Sequence, residues 1–222
     1  MIKAVLFDVD NTLIDFFKLK RQSCEQAIDA MIDAGLGVPR EKALKQLYTL
    51  YDKHGWEDQK IFQRLLRTLE GSVDYRKLSY GILAYRKAKV GLLAPYPKTR
   101  DTLRSLRDAG LTLGIVSDAP ALQVWLRLAS TQLDTYFDFV IASGKQHKGT
   151  SAPFKKAVKK LGLSPGEMLH VGDWPARDIM GAKRIGIVTC LAQYGNDKRS
   201  NIKADYEIAA IDELPDVIQR HQ

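Results

Sequence analysis

Five short apolar runs, each bounded by polar or turn residues and separated by helical patterns, constrain this chain more than any other feature. Ala4 to Phe7 gives way to Asp8-Val9-Asp10-Asn11, and Leu111 to Val116 gives way to Ser117-Asp118. Phe137 to Ile141 is the third run, Met168 to Val171 the fourth, ending in Gly172-Asp173, and Ile187 to Leu191 the fifth. Runs this short and this apolar read as strands buried on both faces. Helical periodicity occupies Thr99 to Ala109, Ala121 to Ala129, Pro153 to Leu161 and Ala176 to Ile185, and Gly110, Gly162 and Gly186 stop three of these segments. Strand, helix, strand at this rhythm predicts an α/β fold: a Rossmann-like parallel sheet with helices on both faces.

Residues 16–92 break the rhythm. No strand pattern occurs there, and apolar residues recur at helical spacing: Cys24, Ile28, Met31 and Ile32; Leu44, Leu47, Tyr48 and Tyr51; Ile61, Leu65, Leu66 and Leu69; Leu78, Ile82 and Tyr85. Gly35, Gly37 and Pro39 mark the first gap, Gly55 the second and Gly71 the third. The expected organisation is therefore a catalytic core of residues 1–15 and 93–222, with a four-helix insertion at 16–92. The leucine and aromatic stripes of the insertion read as packing.

Composition narrows the function classes. Of 222 residues, 45% are hydrophobic and 27% charged, an ordinary globular balance that excludes long disorder. No apolar run reaches the roughly 18 residues of a membrane span. The first apolar run meets Asp8 too early for a signal-peptide core. The two cysteines, Cys24 and Cys190, are far apart in apolar company, which excludes a disulfide scaffold and a cysteine zinc site and leads to the expectation of a reducing cytoplasm. The net charge is +8, and residues 16–92 carry +6 of it, with 15 Lys and Arg against 9 Asp and Glu. Nucleic acid, an acidic membrane, an anionic small molecule or simple solubility would each account for that excess. No like-charge block and no basic stripe interleaved with aromatics is present, so nucleic acid is not the expected partner.

Open parallel sheets bind ligands outside the carboxyl ends of their strands. There the sequence places Asp8 and Asp10, Ser117, and Asp173 with Asp178 beyond it, while Lys148 follows the third strand. Each has a bland reading alone: an accidental pair of acids, a turn serine, a helix-capping aspartate, a solvated lysine. Convergence of four carboxylates on one edge is different, because they repel and raise one another's pKa. Such a cluster suits a cation, and all-oxygen ligands suit magnesium. A lysine and a hydroxyl beside them suit a phosphate.

Asp8-Val9-Asp10-Asn11-Thr12-Leu13 resembles the nucleophile motif of the haloacid dehalogenase superfamily. Ser117 resembles its second motif, Lys148 its third, Gly172-Asp173-Trp174-Pro175-Ala176-Arg177-Asp178 its fourth, and the helical insertion its cap. By that resemblance Asp8 is the nucleophile, and Asp10 protonates the leaving group, later activates water, and meets magnesium through its carbonyl. Thr12 steadies the loop; Ser117 and the Asp118 backbone N–H hold phosphate; Lys148 bridges Asp8 and phosphate. Asp173 ligates magnesium and Asp178 supports it nearby. An acid two residues after the nucleophile separates phosphoryl chemistry from dehalogenation, since a halide leaves without a proton.

The third motif departs from the family pattern at Lys148-Gly149-Thr150-Ser151-Ala152-Pro153-Phe154, where Gly149 loosens the loop, Ser151 is available as a helix cap and Lys145 rivals Lys148. His54, His147, His170 and His221 show no ligand spacing. The resemblance implies a magnesium-dependent phosphatase acting through an aspartyl-phosphate on a small phosphorylated metabolite, a sugar or triose phosphate. A phosphomutase shares the motifs, and a phosphonatase would need an imine-forming lysine, for which Lys18 and Lys20 are available.

Overall fold

The computed structural model describes residues 1–144, 147–196 and 200–221. The chain divides into two compact units, Met1–Phe16 with Leu93–Gln222, and Phe17–Leu92. Along the chain come β1 (Ala4–Phe7), α1 (Phe16–Asp33), α2 (Arg40–His54), α3 (Ile61–Glu70), α4 (Tyr75–Leu92) and α5 (Thr99–Asp108). Then follow β2 (Thr112–Ser117), α6 (Ala121–Ser130), β3 (Phe139–Ala142), α7 (Ala152–Leu161) and β4 (Met168–Gly172). The chain closes with α8 (Met180–Lys183), β5 (Val188–Ala192), β6 (Tyr206–Ile208) and α9 (Leu214–Arg220).

The strands form one sheet in the order β3-β2-β1-β4-β5-β6, and every pairing is parallel. The order reverses direction at β1, which lies between β2 and β4, so the crevice at its carboxyl end is the fold's natural ligand site. Phe7 is level with Ile115 on one side and Val171 on the other. Asp8, Ser117 and Asp173 therefore leave the sheet at nearly one height. Ala4, Leu6, Val116, Phe139, Phe154 and Met168 form a continuous buried layer under these strand ends. That rigid base is what holds the polar residues above it in place.

The helical unit has its own core, built from Cys24, Ile28 and Met31 of α1, Leu47 and Tyr51 of α2, Leu65 and Leu66 of α3, and Leu78 of α4. Gly81 lets α4 approach α1 closely, since a Cβ there would overlap the Met31 side chain.

Three local features differ from the sequence expectation. β6 is an edge strand whose Tyr206-Glu207-Ile208 is too short to carry a periodic signal. The third strand begins at Phe139 because the preceding residues make a 3-10 turn at Asp134–Tyr136. The helix expected over Ala176 to Ile185 begins instead as a π-helical turn, Pro175–Ile179, before α8. Such wide turns recur at functional sites, and this one carries Asp178.

Candidate active site

The chain turns sharply after β1. Val9 O accepts from Leu13 N at 2.9 Å, and Asn11 N donates to Ile14 O at 2.7 Å. Asn11 has φ 60, a left-handed conformation that asparagine tolerates better than most residues. Thr12 is buried, and its carbonyl accepts from Tyr194 Oη at 2.8 Å. Gly195 packs against the same turn so closely that any Cβ would overlap the Asn11 carbonyl. The loop carrying Asp8 and Asp10 is thus braced from the far end of the chain.

Lys148 is the centre of the buried charge cluster, only 3% exposed. Its Nζ lies 2.6 Å from Asp8 Oδ1 and pairs as closely with Asp178 Oδ1. Burial works against the ammonium, but Asp178, Asp8 and Asp118 overcome it and hold its pKa above the ordinary range. Asp178 is saturated: besides Lys148, its Oδ1 is 3.1 Å from His170 Nε2 and its Oδ2 accepts from Trp174 N at 3.0 Å. Burial alone would raise the Asp178 pKa, yet Lys148 and His170 pull it well below the usual carboxylate range. His170 is itself fully buried and edge-on to Phe154; burial lowers its pKa while the facing Asp178 carboxylate raises it.

Asp8 and Asp173 are the opposite case. Burial pushes Asp8 up to about 7, with Lys148 opposing and Asp178 and Asp10 adding to the rise. Burial pushes Asp173 up to about 9, with Asp178 and Asp8 adding to it. Asp173 Oδ2 is buried and receives no hydrogen bond from the described residues. Asp8, Asp173 and Asp178 can each offer an oxygen within 4.8 Å of the others. Two strained carboxylates, one with an orphaned oxygen, fit a hard divalent cation with oxygen ligands. Asp178 is already committed to three partners, whereas Asp8 engages Lys148 through Oδ1 and the buried Oδ2 of Asp173 receives no hydrogen bond from the described residues. The Asp10 carboxylate is not in the cluster.

The second and third motifs meet at Asp118, whose side chain does more than the sequence suggested. Its Oδ1 accepts from Lys148 N at 2.7 Å and lies 2.9 Å from the Ser143 hydroxyl, while Arg177 reaches Oδ2 at 3.4 Å. Ser117, buried at the end of β2, accepts Ala119 N on its hydroxyl at 3.2 Å. Gly149 does not leave the third-motif loop loose: Arg184 donates to its carbonyl at 2.9 Å, and Gly181 lets the Lys148 carbonyl pack where a Cβ would collide. Ser151 does not cap α7 with its side chain; its hydroxyl donates to Gly181 O at 2.6 Å instead. Lys145 lies outside the described residues.

Two residues with a place in the site escaped the sequence reading. Arg127 of α6 has its Nε 3.0 Å from Asp10 Oδ1. The other is His170. Each had one usable signal, a basic residue at a buried position: Arg127 beside Val124 and Leu128 on the inner face of α6, His170 inside the apolar run of β4. Lys20, offered by the sequence as a lysine available for an imine, is buried among side chains of the helical unit. Its Nζ donates to Trp56 O at 2.8 Å and Tyr85 Oη at 2.9 Å and sits 4.4 Å from the Tyr51 ring centroid, a packed role inside the helical unit.

Comparison with known proteins converges on this geometry. Residues 2–186 match a family model described as haloacid dehalogenase-like hydrolase. A glyceraldehyde 3-phosphate phosphatase of Methanocaldococcus jannaschii is 34% identical, with 99% of this chain and 98% of that protein covered. A glyceraldehyde 3-phosphate phosphatase of Pyrococcus furiosus is 32% identical, covering 99% and 94%. The crystal structure of a HAD phosphatase from Thermococcus onnurineus superposes with a TM-score of 0.70 at 32% identity, over 98% of both chains. With three other strand-end segments gathered around Lys148 and its sequence matched over this length, the chain belongs to the haloacid dehalogenase-like hydrolases.

Proposed function

We propose that this chain hydrolyses the phosphate ester of a small phosphorylated metabolite, a triose or sugar phosphate, with magnesium held by Asp8 and Asp173. The observation that carries this reading is the buried Asp8–Lys148–Asp178 chain beside Asp173: a carboxylate nucleophile, a fixed ammonium and an open cation site in one crevice. The triose-phosphate class is supported by the relatives that bear the name glyceraldehyde 3-phosphate phosphatase. Residues 16–92 are assigned as the cap that selects the substrate. Among the described residues, no helix is long and apolar enough to cross a membrane.

In this reading an Asp8 carboxylate oxygen attacks phosphorus while the phosphorus–ester oxygen bond breaks. The Asp10 carboxyl gives its proton to the departing oxygen, which leaves as an alcohol. Water then attacks phosphorus, Asp10 takes its proton, and the Asp8 carboxylate is released with inorganic phosphate. Lys148, the Ser117 hydroxyl and the Asp118 backbone N–H hold the phosphoryl oxygens, Thr12 steadies the loop, and the Asp10 carbonyl is a further oxygen donor to the cation. Magnesium, when bound, supplies positive charge that offsets the negative charge of the phosphoryl group and of the clustered carboxylates.

A magnesium-dependent screen of phosphorylated metabolites, with Asp10→Asn run alongside, tests the reading. The unmodified protein is expected to prefer small alkyl phosphates. Asp10→Asn is expected to lower kcat/KM for an alkyl ester by about 10²-fold or more and to spare an aryl ester, whose oxygen leaves without a proton. Equal losses on both esters would remove Asp10 from the acid role. No turnover of any phosphate ester would overturn the function.

The cation site makes a separate prediction. Because the folded pKa values of Asp8 and Asp173 lie above the ordinary 3.8, the metal-free folded state binds more protons than the unfolded chain, and these groups cost stability as pH rises from about 4 to 9. The depressed Asp178 pKa acts only below the usual carboxylate range, outside this window. Magnesium replaces the missing protons. The rise in Tm on adding it is therefore expected to be larger at pH 8 than at pH 6. Asp173→Asn should raise the metal-free Tm at pH 8 and lose most of the magnesium response. An undiminished response would place the cation elsewhere.

A further inference from the structure

Lys148 opens a 3-10 turn, Lys148–Thr150, and the first N–H groups of such a turn have no partner inside it. Lys148 is buried, so its N–H needs a partner from elsewhere in the protein. That partner comes from thirty residues earlier: Asp118 Oδ1 accepts from Lys148 N at 2.7 Å. The same oxygen accepts from the Ser143 hydroxyl at 2.9 Å, and Ser143 N donates to Ser117 O at 2.8 Å just beyond the β2–β3 pairing. Facing the other oxygen, Oδ2, are Arg177 Nη1 at 3.4 Å and His147 Nδ1 at 3.9 Å. Arg177 lies on the π-helical turn that carries Asp178, its guanidinium 4.3 Å from the Trp174 ring centroid. The Asp118 side chain is 12% exposed. One carboxylate directly after β2 thus ties down the root of Lys148, while Asp8 and Asp178 hold the ammonium at its tip.

We propose that the Asp118 side chain is a positioning residue for Lys148: Oδ1 fixes the Lys148 backbone, and through it the place of the ammonium beside Asp8 and the transferring phosphoryl group. The inference rests on the proposed role of Lys148 and deepens it. A lysine carries its charge on a flexible four-carbon stem, so the ammonium is well placed only when both ends of the residue are held. The grip at the tip changes during the reaction, because Asp8 is the attacking group and gives up its negative charge as the bond to phosphorus forms. The hydrogen bond at the root does not depend on that charge. Its acceptor is a carboxylate, which binds an N–H more strongly than a neutral oxygen does, and low exposure limits competition from water. The Asp118 backbone N–H is a separate group, kept when the side chain is replaced. An error of about 1 Å in the position of the ammonium is enough to reduce rate substantially.

The test compares kcat/KM, which reports transfer to Asp8, for an alkyl phosphate that the unmodified protein hydrolyses and for 4-nitrophenyl phosphate. Asp118→Ala is expected to lower both values alike, by about 10- to 10²-fold, because Lys148 serves the phosphoryl group and not the leaving oxygen. Asp118→Asn keeps an acceptor oxygen where Oδ1 stands and should stay within about 5-fold of the parent. Asp118→Glu keeps the charge but shifts the acceptor by one methylene, and should lose more than Asp118→Asn. Ser143→Ala removes only the other donor on Oδ1 and should cost less than about 3-fold. In a Lys148→Ala background, Asp118→Ala should add less than about 3-fold on the aryl ester, since the group it positions is gone. If Asp118→Ala fails to fold by far-UV circular dichroism, the order of Asp118→Asn above Asp118→Glu carries the comparison. A loss confined to the alkyl ester, Asp118→Asn no better than Asp118→Ala or Asp118→Glu, Ser143→Ala as damaging as Asp118→Ala, or losses that multiply in the double variant would each overturn the inference. If Lys148→Ala is itself fully active, the role of Lys148 falls first and the inference with it; if Lys148→Ala is impaired and Asp118→Ala is not, only the inference fails.

Discussion

Asp8→Asn is expected to abolish turnover, with a loss on the order of 10⁴- to 10⁶-fold in kcat, the scale on which removing a covalent nucleophile acts. An amide oxygen neither attacks phosphorus competently nor balances the Lys148 ammonium 2.6 Å away. The fold should survive, because burial already makes the Asp8 charge unfavourable, holding its pKa near 7 in the absence of a cation. Neutralising it removes a repulsion with Asp173 and Asp178 as well as an attraction to Lys148. Circular dichroism and thermal melting would show a folded protein with a Tm close to that of the parent, while phosphate release falls to background. A variant that keeps even a hundredth of the activity would move the nucleophile elsewhere.

Lys148→Ala should damage both chemistry and stability, and for the same reason. The ammonium is the shared partner of Asp8 and Asp178, and its removal leaves two buried carboxylates facing one another. Breaking a buried pair in this way costs about 3–5 kcal/mol, enough to lower Tm visibly in a chain of this size. Losing one preorganised charge beside the transferring group costs about 10²- to 10³-fold in kcat. Lys148→Arg would restore the charge without the compact point geometry, so it should recover stability better than rate. A fully active Lys148→Ala protein would place the third-motif cation at another residue.

Much of this arrangement was legible in the sequence, and the unread part has a physical explanation. The strand that ends at Asp8 is a dense local signal, apolar residues followed at once by acids, and Ala4–Phe7 forms where that signal lies. The insertion was legible because Leu47, Tyr51, Leu65 and Leu66 repeat at helical spacing and do form one core. What local pattern cannot carry is distance between segments. Nothing near Asp178 in the chain says that it pairs with Lys148 rather than presenting an open face to a cation. The division between Asp173, with an orphaned oxygen, and Asp178, with three partners, appears only when the π-helical turn folds back on β4. Asp118 was expected only to offer its backbone N–H, and the part played by its side chain was illegible for a similar reason: the carboxylate closes on Lys148 N thirty residues later. Arg127 sits in a leucine-rich helix, where one basic residue reads as a solvated side chain until its burial is known.

The central claim is that the phosphoryl group passes through Asp8, and trapping it there is the most direct measurement. Asp10→Asn suits the purpose, because the aryl ester transfers its phosphoryl group without a general acid while the following hydrolysis lacks its base. With ³²P-labelled 4-nitrophenyl phosphate and magnesium, acid quenching followed by peptide mapping should find label approaching one phosphoryl group per chain. The label should reside on the peptide that carries Asp8, be lost to hydroxylamine as an acyl phosphate is, and be missing when Asp8→Asn is added. Label on any other residue, or release of nitrophenol with no labelled protein at any time, would contradict the account.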